Sequence, residues 1–135
     1  MNKNIQILKL LLLAGSIYFL LVAIFHLIGF KIPPFFIYYN VPSYVYQDRI
    51  ISFLSFGWSI FLFTAFLNPI LNKMLIRAIL VAGAGAIIGL EIINAYTNFE
   101  SISNIIDPTI FRLETLGLVV YLVLLTIYYI KSKNN

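Results

Sequence analysis

Two polar side chains share one face of a long apolar segment. Glu91 and Asn94 are spaced i, i+3 within residues 78–96, so a helix would place them side by side. The apolar run around them is long enough, at about 1.5 Å per residue, to cross a hydrocarbon core of roughly 30 Å. A carboxylate at that depth is costly without a partner, and it therefore marks a functional-site hypothesis.

The remaining ionisable residues of the apolar segments fall one or two helical turns inside the segment ends. An arginine is the expected partner of Glu91, because a guanidinium binds a carboxylate through two hydrogen bonds and stays charged when buried. We therefore predict a paired polar layer in the outer half of a helical bundle. The residues assigned to this layer, as polar contacts or ligand-binding groups, are Glu91, Arg49, Arg112, Asp48, His26, Asn94 and Glu114.

Several kinds of chemistry fit such a layer. Ion pairs could lock the helices of a structural or accessory membrane subunit. Alternatively, the layer could read the polar head of a lipophilic molecule such as a lipid, a sterol-like compound or a quinone, in a binding protein or in an isomerase- or reductase-like enzyme that moves a proton. Transport is a third interpretation, and a metal site of His26 with carboxylates is a fourth. The sequence leaves catalysis open.

The composition is that of an integral membrane protein. Of the 135 residues 61% are hydrophobic and 10% are charged, and the mean hydropathy is +0.97. A chain of this length is expected to form a single membrane domain over residues 1–135. The formal net charge is +4, but the basic residues are scattered at the ends of the apolar segments and form no basic patch. The charge therefore indicates no nucleic-acid partner. The absence of cysteine excludes disulfides and thiolate metal sites, and no nucleotide-binding or hydrolase motif occurs, so no cofactor is expected.

Four apolar segments predict four spans, over residues 8–30, 44–67, 74–97 and 108–130. Ser43 after Pro42 is a candidate N-cap for the second, and Asp107 before Pro108 is one for the fourth. Residues 97–106 read as a polar loop. The predicted fold is all-α, a four-helix transmembrane bundle that runs up-down-up-down.

The connection between the first two spans is rich in aromatic residues. Residues 31–46 carry the Pro33-Pro34 pair and a high density of Phe and Tyr. Prolines disfavour a helix, and tyrosine is enriched where a membrane meets water. We expect an extracytoplasmic aromatic loop at the membrane surface.

Two stripes of small residues indicate where helices approach closely, since little side-chain bulk separates the backbones. The first stripe is Ser52, Ser55 and Ser59, and the second is Ala78, Ala82 and Ala86 with the adjacent Gly85 and Gly89.

The distribution of basic residues predicts the orientation, because Lys and Arg are in excess in cytoplasmic loops. In a four-span arrangement one side carries basic residues and no acidic ones: Lys3, Lys9, Lys73, Arg77, Lys131 and Lys133. Both termini are therefore expected in the cytoplasm, in a bacterial or archaeal plasma membrane. The expected partners are the lipid bilayer, a lipophilic ligand, and other membrane subunits or a second copy.

In its size, its four-span layout and its outer polar residues, the chain resembles the DoxX-like small membrane proteins. The run YQDRIISFLSFGW at residues 46–58 has the look of a family signature. The resemblance implies a four-helix membrane protein, and it implies no activity.

Overall fold

The structure is a computed structural model that describes residues 3–37, 41–102, 104 and 106–133. Its elements are α1 (Lys3–Ile28), α2 (Val45–Leu67), α3 (Lys73–Tyr96), α4 (Phe99–Ile102) and α5 (Pro108–Lys133). The described residues contain no strand, which confirms the all-α class. The polar loop predicted over residues 97–106 holds one short helix, α4, which the sequence pattern did not indicate.

Four of the helices are long and apolar enough to cross a membrane. The candidate spans in α1, α2, α3 and α5 contain 26, 23, 24 and 25 residues, and each has a mean hydropathy of 2.0 or more. A spanning helix needs about 20 residues. The part of the chain that the structure describes therefore contains four candidate membrane-spanning helices.

Gly29 sets the end of α1. Its φ of 72° lies in the left-handed region that glycine adopts most easily. The N–H of Phe30 donates to the carbonyl of Phe25 at 3.0 Å, the bond that closes a glycine-terminated helix. The first helix therefore stops at Ile28, two residues before the end predicted for the first span.

The starts of α2 and α5 differ in how they are capped. Ser43 is not the N-cap of α2: Tyr44 occupies that position and makes no side-chain cap, while Ser43 Oγ donates to Asp48 Oδ2 at 3.0 Å. The cap of α5 is as predicted, with the N–H of Thr109 donating to Asp107 Oδ1 at 2.9 Å. This hydrogen bond lowers the pKa of Asp107.

One hydrophobic core joins the four long helices. It draws on the first halves of α1 and α3 and the last halves of α2 and α5, through Leu8, Leu12, Leu62, Ala65, Ile76, Ile79, Leu125 and Tyr129. α1 packs most extensively on α2, and α5 packs on both α1 and α3. The neighbours of each helix are therefore fixed at this end of the molecule.

α3 and α5 are exposed over most of their length. In the apolar stretch of each, 11% of the residues are buried, against 33% in α1. The second small-residue stripe is largely exposed, and a Cβ on either Gly85 or Gly89 would meet nothing within 4 Å. α3 instead approaches α5 through Gly83, where a Cβ would lie 3.1 Å from Leu122.

Candidate functional site

Serine side chains join the middle of α1 to the middle of α2. Ser59 Oγ donates to the carbonyl of Ser16 at 2.8 Å, and Ser16 Oγ donates to the carbonyl of Ser59 at 3.0 Å. Both residues are buried, as are Ser52 and Ser55. The serine face of α2 therefore packs closely on α1, and each of the paired serine hydroxyls has an acceptor across the interface.

A second buried polar cluster lies where α1 ends and α2 begins. His26 is 1% exposed, and its Nδ1 lies 3.5 Å from Asp48 Oδ1. The N–H of Ile37 donates to His26 Nε2 at 3.0 Å, and Ser43 Oγ donates to the other carboxylate oxygen. Because Nε2 accepts a hydrogen bond, the neutral imidazole carries its proton on Nδ1, toward the carboxylate.

The loop between α1 and α2 covers this cluster with an aromatic ring. Phe36 is fully buried, and its ring stacks on the imidazole of His26 with centroids 4.1 Å apart. Lys31 Nζ lies over the Phe36 ring, 5.5 Å from its centroid. This part of the loop is packed into the protein, whereas Tyr44 and Tyr46 are exposed as expected. Tyr38 and Tyr39 lie outside the described residues.

The described residues give no support to the predicted pairing of Glu91 with an arginine. Glu91, Arg49 and Arg112 are all exposed, and no ion pair joins them within the described residues. α3 turns the Glu91 face outward, so the carboxylate does not enter the bundle. The neighbouring Asn94 does face α5, where its Nδ2 donates to Thr115 Oγ1 at 3.4 Å. The paired polar layer is therefore reduced to His26 with Asp48.

A cavity of about 590 Å³ lies between α1 and α5. Its walls are almost wholly apolar. From α1 they include Ala14, Gly15, Tyr18 and Phe19, and from α5 they include Ile110, Leu113, Glu114, Gly117, Leu118 and Tyr121. Pro33 and Pro34 of the loop also line it. His26 is not among the residues that line the cavity.

Among the described residues that line the cavity, Glu114 is the one with a carboxyl group. Its Oε1 is buried and has no hydrogen-bond partner within the described residues. Leaving a buried polar atom unsatisfied costs about 1–3 kcal/mol, more when it is charged. Of the residues assigned from sequence to the polar layer, Glu114 is the one that lines the cavity.

Two tyrosines, which the sequence reasoning did not single out, complete the polar part of the cavity. The hydroxyl of Tyr18 donates to the carbonyl of Pro34 at 3.2 Å, and the hydroxyl of Tyr121 donates to the carbonyl of Leu11 at 3.0 Å. Both lie well inside apolar helices, whereas tyrosine favours the ends of membrane spans. Their position in the middle of apolar segments was the feature of the sequence that could have indicated a polar site there.

The metal interpretation requires His26 and several carboxylates in one place. No group of three or more His, Cys, Asp or Glu that could hold a metal ion exists among the described residues. Glu91 and Glu114 are not brought to the His26–Asp48 pair.

No family model, curated protein or solved structure matches this chain.

Proposed function

We propose that the protein is a multi-pass membrane protein that binds a lipophilic small molecule in the cavity between α1 and α5. In this proposal the four long helices form an up-down-up-down transmembrane bundle in a bacterial or archaeal plasma membrane. Both termini lie in the cytoplasm, and the aromatic loop lies on the opposite side. The layout resembles that of DoxX-like membrane proteins.

The observation that carries the binding proposal is the unpartnered Oε1 of Glu114 in an otherwise apolar cavity. An apolar residue at that position would avoid the cost of burying an unsatisfied oxygen. A carboxyl group at position 114 becomes favourable when a ligand group lies beside it and forms the hydrogen bond that the protein does not provide. Small-molecule sites commonly combine apolar walls with a few polar groups that orient the ligand.

The size and the opening of the cavity suit an elongated apolar ligand. A volume of about 590 Å³ falls within the roughly 300–1,000 Å³ typical of small-molecule sites. Leu113 lines the cavity and is 62% exposed, and Ala14 and Gly117 on the facing helices are also exposed. In the proposed membrane this opening faces lipid, so the ligand would enter from within the bilayer.

The contacts between helix ends support the up-down arrangement. His26 near the end of α1 meets Asp48 near the start of α2, and Arg77 near the start of α3 donates from Nε to the hydroxyl of Tyr129 near the end of α5 at 2.9 Å. Sequential helices of a bundle with short loops make such contacts when they alternate in direction.

The orientation can be tested with single cysteines, because the chain contains none. Lys3→Cys should react with a membrane-impermeant maleimide only after the cytoplasmic side is opened, and Lys31→Cys should react from outside. The reverse pattern would contradict the proposed orientation.

Ligand binding can be tested by photolabelling the protein in phosphatidylcholine nanodiscs with a diazirine-bearing alkane. We expect labelling of the α1 and α5 peptides that excess dodecanol competes away. Labelling that does not saturate would contradict a defined site.

A matched pair of glycine variants controls this test. Gly117 lines the cavity and Gly57 on α2 does not, yet a Cβ on either would meet nothing within 4 Å. Gly117→Phe should fill the cavity and abolish the saturable labelling, whereas Gly57→Phe should preserve it. Equal labelling in both variants would place the binding elsewhere.

A second candidate function is the structural or accessory subunit suggested by the sequence. It is favoured by the exposed carboxylate of Glu91 on a helix whose apolar stretch is 11% buried. In a bilayer such a carboxylate is costly, and contact with a second copy would shield it from lipid. Cross-linking in native membranes should then give a dimer that Glu91→Leu weakens, whereas a monomer in both would reject this role.

A further inference from the structure

Both tyrosine hydroxyls at the cavity already donate a hydrogen bond within the protein. Tyr18 donates to Pro34 and Tyr121 donates to Leu11, in each case to a backbone carbonyl. A phenol has one O–H, so each oxygen retains only its lone pairs for a further contact. Toward a ligand, these two groups are hydrogen-bond acceptors.

The rest of the lining supplies no donor. Pro33 and Pro34, which also line the cavity, have no backbone N–H. Among the described residues, the lining contains no lysine, arginine, histidine, asparagine, glutamine, serine, threonine or tryptophan. Its remaining polar side chain is Glu114, and an ionised carboxylate only accepts hydrogen bonds. The cavity therefore offers acceptors to whatever occupies it.

A ligand complementary to such a cavity must bring donors, and a positive charge suits the carboxylate as well. We propose, on the basis of the binding function proposed above, that the ligand is a long-chain amine. Its ammonium group donates to Glu114 Oε1, and its hydrocarbon chain lies along the apolar walls. An ammonium group has three donors and no acceptor, the inverse of the lining.

Charge strengthens this match. A carboxylate without a cation is unfavourable in an apolar environment, and the ammonium group neutralises it there. Hydrogen bonds between charged groups are about twice as strong as neutral ones. The amine should therefore bind more tightly than a neutral ligand with the same hydrocarbon chain.

The main competing chemistry is a carbonyl ligand, such as a ketone or a quinone, that binds a protonated Glu114. A protonated carboxyl has a single O–H to give, and the two tyrosine oxygens would then face the ligand carbonyl without a proton between them. The acceptor-rich lining favours the amine, and the two chemistries predict opposite rankings of matched probes.

The test uses three probes of equal carbon number: dodecylamine, methyl decyl ketone and dodecanoic acid. Each competes at neutral pH against photolabelling by the diazirine-bearing alkane in nanodiscs, with doses expressed as mole fraction in the lipid. We expect dodecylamine to compete at a mole fraction about tenfold lower than the ketone, and the acid to be the weakest. Gly117→Phe gives the labelling background that occurs without the cavity.

Glu114→Gln tests the role of the charge, since the amide keeps the size and the carbonyl oxygen. We expect the advantage of the amine over the ketone to disappear while competition by the ketone is unchanged. Equal potency of amine and ketone in the unmodified protein, or a more potent ketone, would overturn the amine assignment and leave the lipophile site intact. The absence of any saturable labelling would instead reject the proposed function itself.

Discussion

The buried polar groups at the α1–α2 interface differ from those at the cavity between α1 and α5. Toward α2, Ser16 and Ser59 exchange hydrogen bonds, His26 Nδ1 lies 3.5 Å from Asp48 Oδ1, and the N–H of Ile37 donates to His26 Nε2. Toward α5, the helices separate around a cavity, and Glu114 has a buried oxygen that no described residue pairs. One helix thus borders both a closed polar interface and an open one.

The difference separates structural polar groups from binding groups. A buried polar group that is fully paired holds helices in register, and its loss destabilises the fold. A buried polar group that is left unpaired destabilises the protein while the site is empty, and it becomes useful when a ligand arrives. Substitutions on the two sides of α1 should therefore change stability with opposite signs.

The largest effect is expected at Asp48. Asp48→Ala should lower the free energy of unfolding by about 3 kcal/mol, because it leaves the buried His26 Nδ1–H without its carboxylate and Ser43 without an acceptor. Asp48→Asn should cost less, since the amide oxygen can still accept one bond. Unfolding in mixed dodecyl sulfate micelles measures the free energy of unfolding of both variants. Values equal to that of the unmodified protein would show that the His26–Asp48 pair contributes little to stability.

Gly15 marks the place where α5 touches α1. A Cβ there would collide with the hydroxyl of Tyr121 and lie 2.8 Å from its ring carbon Cζ. Gly15→Ala should cost about 2 kcal/mol through overpacking, and the cost should shrink in the Tyr121→Phe background. Gly57→Ala is the matched control, because its Cβ meets nothing within 4 Å. A loss of stability in the control as large as that of Gly15→Ala would contradict the packing explanation.

Glu114 should give the opposite sign. Glu114→Met replaces the unpaired carboxyl with an apolar chain of similar length, and we expect the free energy of unfolding to rise by about 1 kcal/mol. The same variant should lose competition by dodecylamine. A clear loss of stability would mean that Glu114 is a structural group, and it would break the contrast between the two sides of α1.

The smallest effect is expected at the serine pair. A double-mutant cycle of Ser16→Ala and Ser59→Ala should give a coupling of about 0.6 kcal/mol, the average for hydrogen bonds between membrane helices. Thr64→Ala provides a control, because Thr64 Oγ1 donates within its own helix to Ile60 at 2.9 Å and lies outside the interface. A coupling near zero would assign the α1–α2 contact to close packing alone.

Features that depend on local sequence were predictable. The length of each apolar run indicated the four long helices, and Asp107 before Pro108 indicated the start of α5. The serines of α2 indicated a face suited to close approach, and that face is buried. Each of these conclusions uses residues within one segment, without knowledge of which helix lies opposite.

The orientation of each helix face was not predictable in the same way. Successive side chains on a helix point about 100° apart, so a polar residue in an apolar run can face the bundle or the lipid. Glu91 drew attention because its segment is long and apolar, yet α3 turns it outward, and Glu114 near the start of α5 borders the cavity. α1 is apolar over most of its circumference, so its pattern did not distinguish the side that meets α2 from the side that meets α5.

The exposed Leu113 at the mouth of the cavity has a consequence for how the site would be supplied. A site reached sideways from a bilayer equilibrates with molecules dissolved in the lipid. Its occupancy follows their abundance relative to phospholipid, and an amphiphile that partitions strongly can saturate it while remaining scarce in the surrounding water. The protein would in that case report on the composition of its own membrane.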